Sequence, residues 1–447
     1  MRATAIAALA AILFILPLTA TKADARCRSF SQSTMYDAGV SPIASWRTDY
    51  PSTATSAPPP WHDVPFATEP ARYMNAVLST VRPYFRYEDN ALTSTGSEPW
   101  WMSEWMDYDK LGRESLMGLT KELAPLKRQL SMKSEAGSQV WAVNFYNEPG
   151  AVALHQVFAD PCLPVVPQKL MFLEGSVAIK FLFTDANLGK FSGQIDYLNE
   201  GPIYHAHIDR EGTGWPADTT GRVTRDVNLL QLDISVRDSN ASETGWVFGT
   251  FVWMGPKKGD GLFDNLMPAV LIWANDKDVT TKAIKESWIN PSVASTLSGW
   301  AERPFLGFLG RGNGPADNRN SSCISCHAAA RLPLASVGIA RPGKNPVDLN
   351  DAAAVSAHVK LWFQNIKPGE VFEPNDPPAV AALDYSLQIR AAIERLCQAC
   401  EDGAMQGKTP DVCVKADYYA GPQCVQQGAK KVLEAQRTRN DLSLPRE

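Results

Sequence analysis

Leu230-Gln231-Leu232-Asp233-Ile234-Ser235-Val236-Arg237 alternates apolar and polar side chains without a break. Successive side chains of a strand point to opposite faces, so this stretch predicts a half-buried strand with an apolar face on a core. Its neighbours read the same way. Gln139 to Glu148, Ser176 to Phe183, Trp246 to Met254 and Ala269 to Trp273 are rich in aromatic and β-branched residues. Turn residues lie between them, such as Asp238-Ser239-Asn240 and Glu243-Thr244-Gly245. Long strands joined by loops point to an antiparallel sheet rather than to repeated βαβ units.

Outside this middle the pattern changes. Residues 51–60 carry a Ser/Thr/Pro run that reads as an extended connector. Tyr73, Met74, Val77, Leu78 and Val81 have helical spacing and stop before Pro83. Trp100, Trp101 and Trp105 cluster, and we read them as packing rather than as a binding surface. Towards the other end, Ala352 to Gln364 predicts a helix, and a second runs from Pro378, a natural first-turn residue, to about Cys400. Lys430 to Asn440 reads as a polar helix or a frayed tail. The expected class is therefore α+β: a β-rich domain over 136–340, an irregular and helical N-terminal extension over 26–135, and a helical, cysteine-rich segment over 341–447.

Residues 1–25 read as a secretory signal. Arg2 gives the positive end, Ala5 to Leu18 the short apolar run, and Ala23-Asp24-Ala25 the cleavage site. No later run is long enough to predict a membrane span. Cleavage near Ala25 removes Arg2, Lys22 and Asp24, so the formal net charge of −5 becomes −6. This mild acidity argues against nucleic acid as a partner.

Cys323-Ile324-Ser325-Cys326-His327, set after the Gly-rich loop Gly310 to Gly314, carries the chemistry. C-x-x-C-H is the attachment signature of c-type haem. Two residues between the thiols let both sulfurs reach one porphyrin edge, and the adjacent imidazole comes to lie under the iron as axial ligand. The expectation is one covalently attached haem c on Cys323 and Cys326 with His327 on the iron, in a periplasmic, exported protein that meets a redox partner protein and a small-molecule or gas ligand. Downstream of His327 the sole methionine is Met405, beside a cysteine-rich loop. A weakly capped or open iron is therefore expected over a His/Met electron carrier, which stays open as the alternative.

Six other cysteines remain: Cys27, Cys162, Cys397, Cys400, Cys413 and Cys424. Cys397-Gln398-Ala399-Cys400 is followed by Glu401 and lacks the axial histidine, so it does not predict a second haem. A dithiol pair, a zinc cluster and structural bridges are all compatible with it, and an exported chain favours bridges. His205 and His207 fall on one side of a strand, where His62 or Asp209 would complete a metal site; ordinary loop histidines are the simpler account. His155 and His358 read as structural.

Three ordered pieces carry a resemblance. Glu174-Gly175-Ser176-Val177-Ala178-Ile179-Lys180, Ile234-Ser235-Val236-Arg237-Asp238 leading into Gly245-Trp246-Val247-Phe248-Gly249-Thr250-Phe251, and Ser322-Cys323-Ile324-Ser325-Cys326-His327-Ala328 occur in that order. Together they resemble the β-sheet cytochromes related to cytochrome c-prime-beta, whose enzymatic relatives oxidise hydroxylamine on a lysine-cross-linked haem. The likeness covers about residues 175–330. It implies a haem-dependent oxidoreductase or gas-binding protein, and it implies Lys180 as a distal or cross-linking residue. Lys180 is unusual in its own right, because it interrupts the apolar run from Val177 to Phe183, where an ammonium is costly unless paired. Arg237 stands where relatives often have lysine, and the resemblance makes it a second candidate, poised for a haem propionate or for Asp238.

Overall fold

The computed structural model describes residues 49–401 apart from 56, 89–90, 95–98, 105–112, 115–118, 123, 161–163, 209–222, 256–260, 297–305, 334–346 and 374–378. The signal segment, Met405, Cys27, Cys162, Cys413, Cys424, Trp105, Asp209, the stretch from Lys430 to Asn440, and the side chains of His207 and Cys400 lie outside what is described.

The strands in chain order are β1 (Phe85–Glu88), β2 (Ala91–Ser94), β3 (Trp100–Trp101), β4 (Arg113–Glu114), β5 (Leu119–Lys121), β6 (Val140–Asn147), β7 (Val177–Thr184), β8 (Ile203–Ile208), β9 (Val223–Arg237), β10 (Trp246–Trp253), β11 (Leu266–Ile272), β12 (Ser287–Ile289), β13 (Arg331–Leu332) and β14 (Ala381–Ala382). The helices are α1 (Pro70–Ser79), α2 (Glu148–Phe158), α3 (Pro291–Thr296), α4 (Cys323–His327), α5 (Ala352–Trp362) and α6 (Leu387–Glu401). Ten strands form one antiparallel sheet in the order β12-β11-β10-β9-β7-β6-β5-β4, with β3 beside β6 and β8 beside β9. The class is α+β: an antiparallel sheet core with a few helices. Strands β3 to β5 join the same sheet as the strands that follow.

The alternation in β9 sorts two layers. Leu230, Leu232, Ile234 and Val236 enter one core with Tyr73, Met74, Val77 and Leu78 of α1. Each such side chain contributes about 1.5–3 kcal/mol by leaving water. Tyr73 Oη donates to Asp238 Oδ2 at 2.8 Å, which ties α1 to the end of β9.

The opposite face of the sheet is covered as well. Tyr146, Trp246, Phe248 and Ile272 pack with Ile324 and Ala328 of α4 and its C-cap, and with Val355, Trp362, Tyr385 and Ile389 from the C-terminal segment. Gln231, expected on a polar strand face, is fully buried there. The two-sided cover also explains β10, in which all eight residues are buried.

The predicted helices appear at 70–79 and 352–362, but α6 begins at Leu387 rather than near Pro378. Two interactions hold the intervening chain extended. Ala381 and Ala382 pair with β13, and Ala382 also bridges Lys169. Asp384 and Tyr385 then take left-handed φ values of 43° and 67°, which no helix accepts. Trp100 and Trp101 are buried in the packing, as expected.

Candidate functional site

The loop before the motif is anchored first. Arg311 is fully buried and donates to the carbonyls of Asn275 (2.6 Å), Asp276 (2.8 Å), Val279 (2.8 Å) and Phe308 (3.3 Å). Its guanidinium also lies 4.4 Å from the centre of the Phe363 ring. Burial lowers its pKa to about 10, which still leaves it charged at neutral pH. This clamp fixes the segment that delivers the motif to the sheet.

The motif itself is the short helix α4. Ser322 caps it: the Ser325 amide donates to Ser322 Oγ at 2.9 Å, and the Ser322 amide donates back to Ser325 Oγ at 2.7 Å. Ser322 Oγ donates in turn to Asn275 Oδ1 at 2.7 Å. One helical turn then brings Cys323, Cys326 and His327 to one side, at i, i+3 and i+4. Both cysteines are free thiols. Burial, with help from Asp317 and Asp233, pushes the Cys323 thiol well up, and burial raises Cys326 too. Neither thiol is set up as a thiolate nucleophile.

His327 is oriented by the turn just described. Its Nδ1 lies 2.9 Å from the carbonyl oxygen of Tyr385, which can only accept, so Nδ1 carries the proton. Burial lowers the imidazole to about pKa 4, with Lys180 adding to the effect, so the ring is neutral and Nε2 keeps its lone pair. The Phe248 ring is 4.8 Å away, centre to centre. Tyr385 is itself clamped: its hydroxyl donates to the Ile366 carbonyl at 2.6 Å and accepts from the Ile366 amide at 3.2 Å. Asp384 accepts from Trp246 Nε1 at 2.9 Å and from the Phe172 amide at 2.8 Å.

The sheet meets this motif with a polar row. Asn144, Lys180, Asp233 and Thr250 lie directly opposite one another across β6, β7, β9 and β10. Lys180 Nζ pairs with Glu122 Oε1 at 2.9 Å. Burial pulls the Lys180 pKa down, but Glu122, Asp317 and Asp233 outweigh that and raise it. It is an ammonium. Asp233 Oδ1 accepts from Thr250 Oγ1 at 2.7 Å and from Gln231 Nε2 at 3.0 Å, and its Oδ2 accepts from Gln231 Nε2 at 3.1 Å. Burial and the nearby Asp317 push Asp233 up to about 7, against the opposing pull of Lys180, Thr250 and Gln231.

Lys180 thus stands on the polar row and acts on His327, whereas Arg237 stands further along β9, opposite Trp246. Arg237 lies four residues along β9 from Asp233, about 13 Å at the rise of a strand. Its Nη1 donates to the Gly245 carbonyl at 2.6 Å and stands 3.8 Å from Glu174, while Asp238 is taken by Tyr73. Gly245 has φ of +69°, and a β-carbon there would come within 2.6 Å of both Arg237 and Pro368. Asp233, Glu122, Asp317 and the Tyr385 carbonyl were not singled out in the sequence. Lys180 and Asp233 did leave a signal, as opposite charges on neighbouring strands of one sheet.

Three of the remaining candidates have local partners. His205 Nδ1 lies 2.7 Å from Asp226 Oδ1. His358 Nε2 contacts the Asn320 carbonyl at 3.1 Å. Cys397 is buried and disulfide-bonded. Among the described residues no three His, Cys, Asp or Glu side chains converge as a metal-holding group, and no helix is long and apolar enough to cross a membrane.

The residues present fit a c-type haem. Two thiols outside any disulfide share one helix face with a neutral imidazole, one of whose nitrogens is unprotonated and the other fixed by a backbone carbonyl, the usual support of a metal-bound histidine. No protein-family model, curated protein or solved structure matches the chain.

Proposed function

We propose that this chain is an exported mono-haem c-type protein of the β-sheet cytochrome type, with haem c on Cys323 and Cys326 and His327 as the axial iron ligand. The observation that carries the reading is the state of His327: neutral, with Nδ1–H tied to the Tyr385 carbonyl and Nε2 free to donate. When bound, the haem supplies a redox-active iron that takes a diatomic gas or a small nitrogen compound such as hydroxylamine. The chain's residues then divide the work. His327 holds the iron from one side. Lys180, kept as an ammonium by Glu122, would be a cation beside the haem. The covalent bond to the porphyrin that the resemblance implies for Lys180 requires it to lose that proton first. Arg237 braces the end of β9, where its Nη1 donates to the Gly245 carbonyl.

Absorption spectra of the purified mature protein test this. An open site predicts a high-spin ferric spectrum and a ferrous form that takes carbon monoxide. A sharp low-spin spectrum indifferent to carbon monoxide contradicts it and favours a six-coordinate electron carrier serving a larger redox system.

A further inference from the structure

We propose that Asn275 is a positioning residue for His327: it closes a ring of hydrogen bonds that joins the two ends of α4 through residues 364–366, and so fixes the carbonyl that orients the imidazole. The proposal rests on the haem reading for the role of His327, while the bonds that build the ring stand without it.

Asn275 is fully buried, and its amide, its carbonyl and both polar atoms of its side chain have partners. The amide donates to Asn365 Oδ1 at 2.9 Å, and Nδ2 donates to the Gln364 carbonyl at 2.8 Å. The carbonyl accepts from Arg311 Nε at 2.6 Å, and Oδ1 accepts from Ser322 Oγ at 2.7 Å. The Gln364 carbonyl can only accept, so it decides which way the side-chain amide faces and leaves Oδ1 for Ser322. The backbone beyond Asn275 is bent to suit. Asp276 takes a left-handed φ of 46°, and its carboxylate accepts from the Lys285 amide at 3.0 Å and the Glu286 amide at 2.9 Å.

From Asn275 the bonds run both ways around α4. On one side Ser322 Oγ accepts from the Ser325 amide at 2.9 Å and caps the helix. On the other, the residue after Asn365 is Ile366, whose amide and carbonyl hold the Tyr385 hydroxyl at 3.2 and 2.6 Å. The Tyr385 carbonyl then accepts from His327 Nδ1 at 2.9 Å and from the Leu387 amide at 3.2 Å. The ring leaves α4 at its cap and returns at its last residue. Asn275 follows β11 closely, so it refers both ends of the motif to the sheet.

The 364–366 segment has apolar support too, since Phe363 stacks on Phe308 with ring centres 5.5 Å apart. Apolar contact is non-directional and holds the segment in place. Two bonds from one residue to adjacent positions fix its direction, because hydrogen bonds weaken steeply off line. A buried network of this kind rigidifies when every member is satisfied, and Asn275 has the most bonds in it.

The test is long-range ¹H–¹⁵N NMR of the intact protein with labelled histidine, reduced under carbon monoxide, comparing wild type with Asn275→Ala, Asn365→Ala and Gln364→Ala. A ferrous carbonyl haem is diamagnetic, as is a chain without haem, so His327 is observable either way. Asn275→Ala should move the His327 Nδ1 resonance and make its N–H exchange about fivefold or more faster, the factor that the net contribution of one hydrogen bond implies. Asn365→Ala, at a half-buried position, strips one of the two bonds and should move the resonance the same way by less. Gln364→Ala should change neither, because Asn275 uses only the main-chain carbonyl of that residue. If Asn275→Ala fails to fold, Asn365→Ala decides. An unmoved resonance with unchanged exchange in the folded variants would make Asn275 a structural residue only and overturn the proposal. A Gln364→Ala effect as large as that of Asn365→Ala would overturn it as well. The mass of the same sample reports whether haem is attached. Bare polypeptide with the expected shifts would end the haem reading and leave the positioning of His327 standing.

Discussion

At the residue scale, the imidazole of His327 is held by something the motif does not contain. The C-x-x-C-H spacing says which ring would lie near the iron of the proposed haem, but not which nitrogen would face it. That choice is made by the Tyr385 carbonyl, presented from a turn with two consecutive left-handed residues. Left-handed backbone at non-glycine residues costs energy and persists where surroundings over-determine it. Here the surroundings are the Tyr385 hydroxyl on Ile366 and the Asp384 carboxylate under Trp246 and Phe172. Tyr385→Phe strips the Ile366 amide and carbonyl of their buried partner and should cost about 1–3 kcal/mol in a denaturant titration. It should also shift the ¹⁵N resonance of His327 Nδ1, because the carbonyl is no longer fixed. A variant as stable as wild type, with an unmoved resonance, would show that the turn holds itself without the hydroxyl.

At the element scale, α4 is one turn long and too short to be stable alone. Its cap sustains it. Ser322→Ala removes the acceptor for the Ser325 amide and the donor to Asn275, and should cost about 1–2 kcal/mol by thermal or chemical unfolding while lowering the yield of haem-loaded protein. A loss below about 0.5 kcal/mol would mean that the Arg311 clamp fixes the motif unaided. Legibility also divides by element. The strands β6, β7, β9, β10 and β11 were readable because period-two patterns and β-branched residues are local signals. What covers the polar face of β9 was not, because Gln231 and Asp233 look the same whether they meet water or a second layer. The one local hint was β10, where Trp246 to Trp253 has hardly a polar residue and so reads as buried on both sides. The late start of α6 was hidden for a related reason. Ala381 and Ala382 have good helix propensity, and a pairing with β13, some fifty residues earlier, overrides it.

At the scale of the whole molecule, the sheet is a partition. One side is an apolar core closed by α1, and the other carries the motif, the polar row and the C-terminal helices. Cys323, Cys326 and His327 could be named from the sequence as a site because five adjacent residues carry that chemistry. Glu122, Asp233, Asp317 and Tyr385 are scattered over more than 260 positions and meet only through the fold. The same placement separates the two cations that the resemblance implicated, with Lys180 on the motif row and Arg237 at the strand end. The most direct measurement is denaturing mass spectrometry of the mature protein made in a periplasm with the haem-attachment machinery, beside Cys323→Ser and Cys326→Ser. The account predicts wild-type protein carrying the added mass of one haem that survives acid denaturation, and no retained haem when both cysteines are replaced. Wild-type protein at the mass of the bare polypeptide with two free thiols at Cys323 and Cys326 would contradict it.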